Sequence, residues 1–189
     1  MSIIDNKAEL EDLQYKYLKE AEIMFGNKID YHYGGLSYYN GNPIVVDNGL
    51  DPETGKDSYK IMLNGIGAIN DLTDGIFQLS HEVVHLISPV KQVAGREINY
   101  LEEGMAVYFS KVIIERDTGD LSFCQNAFKN NPKYLKALNL YQELISIDQY
   151  AVKKLRVKSP IIADITTTNF KEIGIKASED LIGELLKKF

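Results

Sequence analysis

Ile76-Phe77-Gln78-Leu79-Ser80-His81-Glu82-Val83-Val84-His85-Leu86-Ile87-Ser88 is the stretch from which the rest of the chain is best read, because positions 81–85 spell H-E-x-x-H. Ile76, Phe77, Leu79, Val83, Val84, Leu86 and Ile87 are apolar at mixed spacing, the pattern of a helix buried on most sides. Asp71 or Thr73 supplies an N-cap, and Pro89 biases Ser88 away from helical backbone and so ends the segment. On such a helix, residues four apart share one face. His81 and His85 can therefore reach a single small cation, at about 2.0–2.1 Å if the cation is zinc. Glu82 projects beside that face, where it can take a proton from an activated water without occupying a ligand position.

A second stretch extends the first. Leu101-Glu102-Glu103-Gly104-Met105-Ala106-Val107-Tyr108-Phe109 follows, with 17 residues between His85 and Glu103. A catalytic zinc takes three protein ligands and keeps one position for water, so a carboxylate on the next helix is a suitable third ligand. Gly104 and Ala106 carry almost no side chain, which lets this helix approach the first closely. Together the two stretches resemble the gluzincin metallopeptidases, especially the aminopeptidase N family. Its pattern is H-E-x-x-H, a spacer of about this length, then L-x-E-G-x-A with an aromatic soon after. The resemblance implies His81, His85 and Glu103 as zinc ligands and Glu82 as general base. The spacer is slightly shorter than that family's, a difference assigned to the Ser88–Glu97 loop.

The remaining composition narrows the partners. A chain of 189 residues is expected to form one domain, residues 1–189, with a core of its own. Its net charge of −6, without a basic stripe, argues against nucleic acid and against an anionic membrane surface. The lone cysteine, Cys124, permits no intrachain disulfide, fits a reducing compartment and is expected to be a small buried residue. Met1–Lys7 lacks the basic and apolar regions of a secretory signal, and no apolar run approaches about 20 residues. A cytoplasmic protein is expected, with signal-independent secretion left open.

Taken in order, residues 5–25 read as an amphipathic helix ended by Gly26-Asn27. Residues 29–65 change to a strand period: Ile29, Tyr31 and Tyr33, then Leu36, Tyr38 and Tyr39, then Ile44-Val45-Val46, then Tyr59, Ile61 and Leu63. Turn clusters at Asn40–Pro43, Asn48-Gly49 and Asp51–Gly55 separate them, and a small, mostly antiparallel sheet is expected. In gluzincins such a sheet precedes the active-site helix, and its edge strand hydrogen-bonds an extended substrate. Tyr59–Leu63, the last strand before the helix, is the expected edge. His32 lies in the first strand, either as an ordinary strand residue or as a substrate contact.

Residues 97–116 read as the second site helix, in which Asn99, one turn before Glu103, could orient its carboxylate. Residues 131–156 read as a third helical region, opened by Pro132. There Tyr134-Leu135-Lys136-Ala137 resembles the Y-x-K-[GA] of the same family, and the resemblance implies Tyr134 as the donor to the oxyanion. Tyr141 and Tyr150 are the alternatives. Ser178 caps a final amphipathic helix to which no chemistry is assigned.

These features predict an α+β, zincin-like metallopeptidase fold, with the H-E-x-x-H helix at the junction of the sheet and a helical half. The expected function is a zinc-dependent peptidase acting on a peptide or protein substrate. The alternative is a non-catalytic, zinc-containing regulatory module that binds a peptide or protein. Glu82 favours catalysis, because a structural zinc has no use for a general base.

Overall fold

The computed structural model describes residues 3–90 and 97–189, so most of the loop between the two metal-motif stretches lies outside the described residues. The chain opens with α1 (Ile3–Phe25), which stops where Gly26 takes a positive φ of 98° and its N–H returns to Glu22 O. Leu10, Tyr17, Leu18, Ala21 and Phe25 form its buried stripe.

Three strands follow: β1 (His32–Tyr39), β2 (Ile44–Leu50) and β3 (Asp57–Asn64). The sheet is mixed, in the order β1-β3-β2. β3 runs parallel to β1 and antiparallel to β2. This corrects the mostly antiparallel expectation, and it corrects the choice of edge, since Tyr59–Leu63 is the central strand. Burial explains the order. Ser58, Tyr59, Ile61 and Leu63 are all buried, whereas β1 and β2 carry only half-buried or exposed side chains. The most buried strand takes the middle, where both of its backbone edges are hydrogen-bonded, and it parts β1 from β2, which the Asn40–Pro43 turn cluster would pair locally. The β1 register shifts between Tyr33 and Leu36, where Gly35 adopts a φ of 86° that other residues rarely reach.

Next come α2 (Gly65–Asn70) and α3 (Leu72–Leu86), the helix that carries the H-E-x-x-H motif. Asp71 caps α3, accepting the N–H groups of Thr73 and Asp74 at 2.9 and 3.4 Å. The far end is fixed as firmly. Tyr31 Oη donates to Leu86 O at 2.6 Å, and the buried Arg156 donates to Ile87 O at 3.1 Å. The same guanidinium also donates to the carbonyls of Phe25, Gly26 and Asn27, which ties the C-terminal ends of α1 and α3 together.

The second half is helical: α4 (Tyr100–Asp117), α5 (Leu121–Lys129), α6 (Pro132–Ile147), α7 (Ala151–Lys158), α8 (Thr167–Glu172) and α9 (Glu179–Leu185). The single region read over 131–156 is two helices. Asp148 breaks it with extended backbone and accepts the N–H of Tyr150 at 2.9 Å. α3 is wrapped by α1, β3 and α4, so it is buried on most sides. α6 crosses α4 at Gly104. A Cβ there would lie 2.5 Å from Ala137 O and 2.7 Å from Tyr141 Cβ. The small residue therefore admits α6, not α3 as the sequence suggested. The α+β class holds, and no described helix is long and apolar enough to cross a membrane.

Candidate metal centre and cleft

Two successive turns of α3 present His81 and His85, and the first turn of α4 presents Glu103 to them. His81 Nε2 and His85 Nε2 face each other at 3.2 Å. Glu103 Oε1 lies 3.2 Å from His81 Nε2, and Glu103 Oε2 lies 3.7 Å from His85 Nε2. His81 and Glu103 are buried, and His85 is nearly so. Glu103 Oε1 is fully buried yet accepts no hydrogen bond among the described residues. Three converging donor atoms with an orphaned carboxylate oxygen form a group that could hold a metal ion.

The electrostatics tie the two imidazoles to the carboxylates around them. Burial alone would raise Glu103, but His81 and then His85 outweigh it and hold the carboxyl below its usual range. Burial would likewise depress His85, and the Glu102 carboxylate overcomes it, lifting the imidazole to about 10 with help from Glu82 and Glu103. Glu102 Oε1 sits 2.9 Å from His85 Nδ1 and the residue is 1% exposed. A metal ion at this group would have to displace the Nε2 proton of His85, leaving a neutral ring that donates Nδ1–H to Glu102 and offers its Nε2 lone pair.

Glu102 is the site residue that the sequence reading missed, and Asn99 does not hold the place assigned to it. Asn99 is the N-cap of α4. Its Oδ1 accepts Glu102 N–H at 3.0 Å, while its Nδ2 turns toward Ile162 O. It thus sets where α4 begins, and does not touch the Glu103 carboxylate.

Glu82 is buried beside the group. Burial raises its carboxyl, opposed by His85, His81 and the Val45 backbone N–H. That N–H belongs to β2, the strand on the near edge of the sheet, whose Ile44 and Val45 line the cleft with Pro43. Tyr134, at the start of α6, lines it from the other side. Its ring lies 5.6 Å from that of His81, and burial, with the nearby Glu103 and Glu82 charges, pushes its hydroxyl up to about 12. Phe189 stacks on Tyr134 at 5.8 Å and closes this wall, a role that nothing in its local sequence signalled.

The cleft has two arms. One, of about 380 Å³, lies over His85, Glu102 and Glu103 and is walled by Ile44, Val90, Ile98 and Phe189. The other, of about 460 Å³, is bordered by Asn42, Asn64, Asp74, Gln78 and Asn131. His81, Glu82, Tyr134 and Pro43 line both, so the motif stands where they meet.

The remaining candidates lie elsewhere. Tyr141 is buried among Phe25 and Tyr108, and Tyr150 is exposed at the turn before α7. His32 sits on the exposed side of β1, 3.6 Å from Asp51, and lines neither arm. Cys124 is buried, and burial pushes its thiol up to about 11. Compared with protein-family models, with curated proteins and with solved structures, the chain finds no match.

Proposed function

We propose that this chain is a zinc-dependent peptidase of gluzincin type, with a zincin-like fold. The observation that carries the reading is the triangle of His81 Nε2, His85 Nε2 and the Glu103 carboxylate, with edges of 3.2, 3.2 and 3.7 Å and Glu82 beside it. Donors held at about 2.0–2.1 Å by one tetrahedral ion stand roughly 3.3–3.4 Å apart, which fits a zinc site. Two imidazoles and one carboxylate are also a donor set that a catalytic zinc uses while leaving a position open. When bound, the ion supplies Lewis acidity, lowering the pKa of a water and polarising a carbonyl.

The chain's own residues do the rest. Glu82 takes the proton of the attacking water and returns it to the leaving amine. Burial moves its carboxyl toward the pH range where both transfers are favourable. Tyr134, kept protonated at neutral pH, donates to the carbonyl oxygen as negative charge develops there. Among the described residues no strand pairs with the outer edge of β2, which lies along the cleft with its Val45 N–H at Glu82, so an extended peptide can add there as a further strand without its sequence being read. Glu102 fixes the ring of His85, and Asn99 fixes Glu102.

The test is elemental analysis joined to one substitution. The purified protein, offered zinc, binds about one ion per chain. Glu82→Gln keeps that ion and loses peptide hydrolysis, while His81→Ala loses both. A zinc-loaded parental protein that hydrolyses no peptide would return the chain to the reading of a regulatory binding module, and a Glu82→Gln protein as active as the parent would remove Glu82 as the base. Absence of any bound metal would remove both readings.

A further inference from the structure

The two arms of the cleft differ in chemistry. The metal-side arm is largely apolar, whereas the other is bordered by the amides of Asn42, Asn64, Gln78 and Asn131. Among the described residues Asp74 is the one carboxylate of this second arm besides Glu82. Its position is built. Gln78 Nε2 donates to Asp74 Oδ2 at 2.8 Å, and Gln78 Oε1 in turn accepts Asn64 N–H at 2.9 Å. Gly67 leaves the space that this oxygen occupies, since a Cβ there would fall 2.1 Å from Asp74 Oδ2.

Among the described residues no lysine, arginine or histidine lies within ion-pair distance of Asp74, although most half-buried acids of the chain have such a partner. Burial pushes its carboxyl up, Gln78 pulls it down, and the charge of Asp71, of the same sign, adds to the rise. A half-buried carboxylate without a counter-ion lowers its free energy by gaining one, and the cavity before it opens toward the motif.

The helix gives the spacing. Asp74, Gln78, His81, Glu82 and His85 follow one another at intervals that keep them on one face of α3. Seven to eight residues separate Asp74 from His81 and Glu82, or about 10–12 Å at 1.5 Å per residue. An extended peptide covers that span in roughly three residues, and one long basic side chain next to the scissile bond covers most of it.

We infer that Asp74 is a specificity-determining residue that binds a cationic nitrogen of the substrate, carried by an arginine or lysine side chain near the scissile bond or by a free α-amine about three residues away. This rests on the reading of His81 and Glu82 as the reaction centre. Asp74 touches the substrate's charge and not the reacting atoms.

The test uses fluorescein-labelled octapeptides with one arginine moved along an otherwise neutral sequence. Each is paired with its citrulline twin and made with a free and with an acetylated N-terminus. Binding is read by fluorescence polarisation on the full-length, zinc-loaded Glu82→Gln protein, and cleavage on the parental one. At one position of the arginine, replacement by citrulline weakens binding about tenfold or more. Asp74→Asn, which keeps an acceptor for Gln78, makes the twins equal. If acetylation and not citrulline removes the affinity, and Asp74→Asn again abolishes the difference, the α-amine is the bound group.

Should Asp74→Asn not fold, Gly67→Ala, which crowds the same oxygen, reports on the same preference. Peptides bound without regard to charge, or a preference that survives in Asp74→Asn, would overturn the inference and leave the peptidase reading standing. Arginine-dependent binding through Asp74 with no cleavage would do the reverse. If no peptide binds, the inference falls.

Discussion

Replacing Gly104 by alanine asks whether α6 is seated on α4 with no room for one methyl group. The added Cβ would meet Ala137 O at 2.5 Å and Tyr141 Cβ at 2.7 Å. A backbone carbonyl cannot swing aside as a side chain can. To restore contacts of about 3.5 Å, α6 has to retreat by roughly 1 Å. Overpacking of this kind costs about 1–3 kcal/mol, and removal of a helical glycine returns about 0.8–1.0 kcal/mol. Because the obstacle is backbone, the net loss belongs in the upper part of the range, about 1–2 kcal/mol. For a chain of this length that lowers the melting temperature by roughly 2–8 °C.

A second readout separates packing from chemistry. Tyr134, Ala137 and Tyr141 recur at spacings of three and four on α6 and so share a face, and a retreat at Ala137 carries Tyr134 with it. Displacement of a catalytic group by about 1 Å can lower turnover by as much as about 10²-fold. Glu103 points from α4 toward α3 and stays in place, so the metal content does not change. Calorimetry, elemental analysis and a peptide-cleavage assay on the same preparation distinguish these effects. A Gly104→Ala protein that melts at or above the parental temperature with unaltered turnover would refute the reasoning.

Other perturbations follow from single contacts. Glu102→Gln should weaken zinc affinity by about 10- to 100-fold without unfolding the chain, measured by competition with a coloured chelator; an unchanged affinity would mean that the Glu102–His85 contact does not orient the ring. Tyr134→Phe should keep both metal and melting temperature while kcat falls by about 10²–10³, and a rise in KM with kcat unchanged would place the hydroxyl in ground-state binding. Arg116, Tyr17 and Lys16 hold Asp117 down at about 2, below the roughly 3.9 of an unfolded aspartate, so its contribution is present above about pH 4 and is lost as pH falls through the folded value. Asp117→Asn should therefore shift the urea midpoint most near about pH 6 and hardly at all near about pH 2, and equal shifts at both would refute that assignment.

What the sequence displayed and what it concealed divide along the range of the interactions. The caps of α3 and α9, the glycine end of α1 and the facing of His81 with His85 depend on residues within a few positions of one another, and each is where local rules put it. The order of the sheet is different. That β3 lies between β1 and β2 depends on which strand packs against α3 and is buried there, which turn clusters do not report. Gly104 was legible as a point of close approach, but the partner helix was not, because a missing Cβ does not say from which side it is approached. Phe189 reaches the cleft only because the chain after α9 returns along the start of α4, where Lys188 bridges to Asn99.

Glu102 was concealed for a more particular reason. Consecutive residues on a helix point about 100° apart, so two adjacent carboxylates do not face one group together, and Glu102 has no role in the sequence reading. His85 makes both useful. An imidazole has two nitrogens on opposite sides of its ring, and two carboxylates about 100° apart can embrace it, Glu103 near Nε2 and Glu102 at Nδ1. The division of labour then depends on the phase of α4, which Asn99 sets by accepting the Glu102 N–H at the first turn. A slip of one residue at this cap would bring Glu102 to the position of Glu103 and leave His85 Nδ1 without an acceptor. A buried pair of acids opening a helix directly after a capping asparagine is thus a signal that can be sought in sequence, and its meaning comes from the histidine across from it.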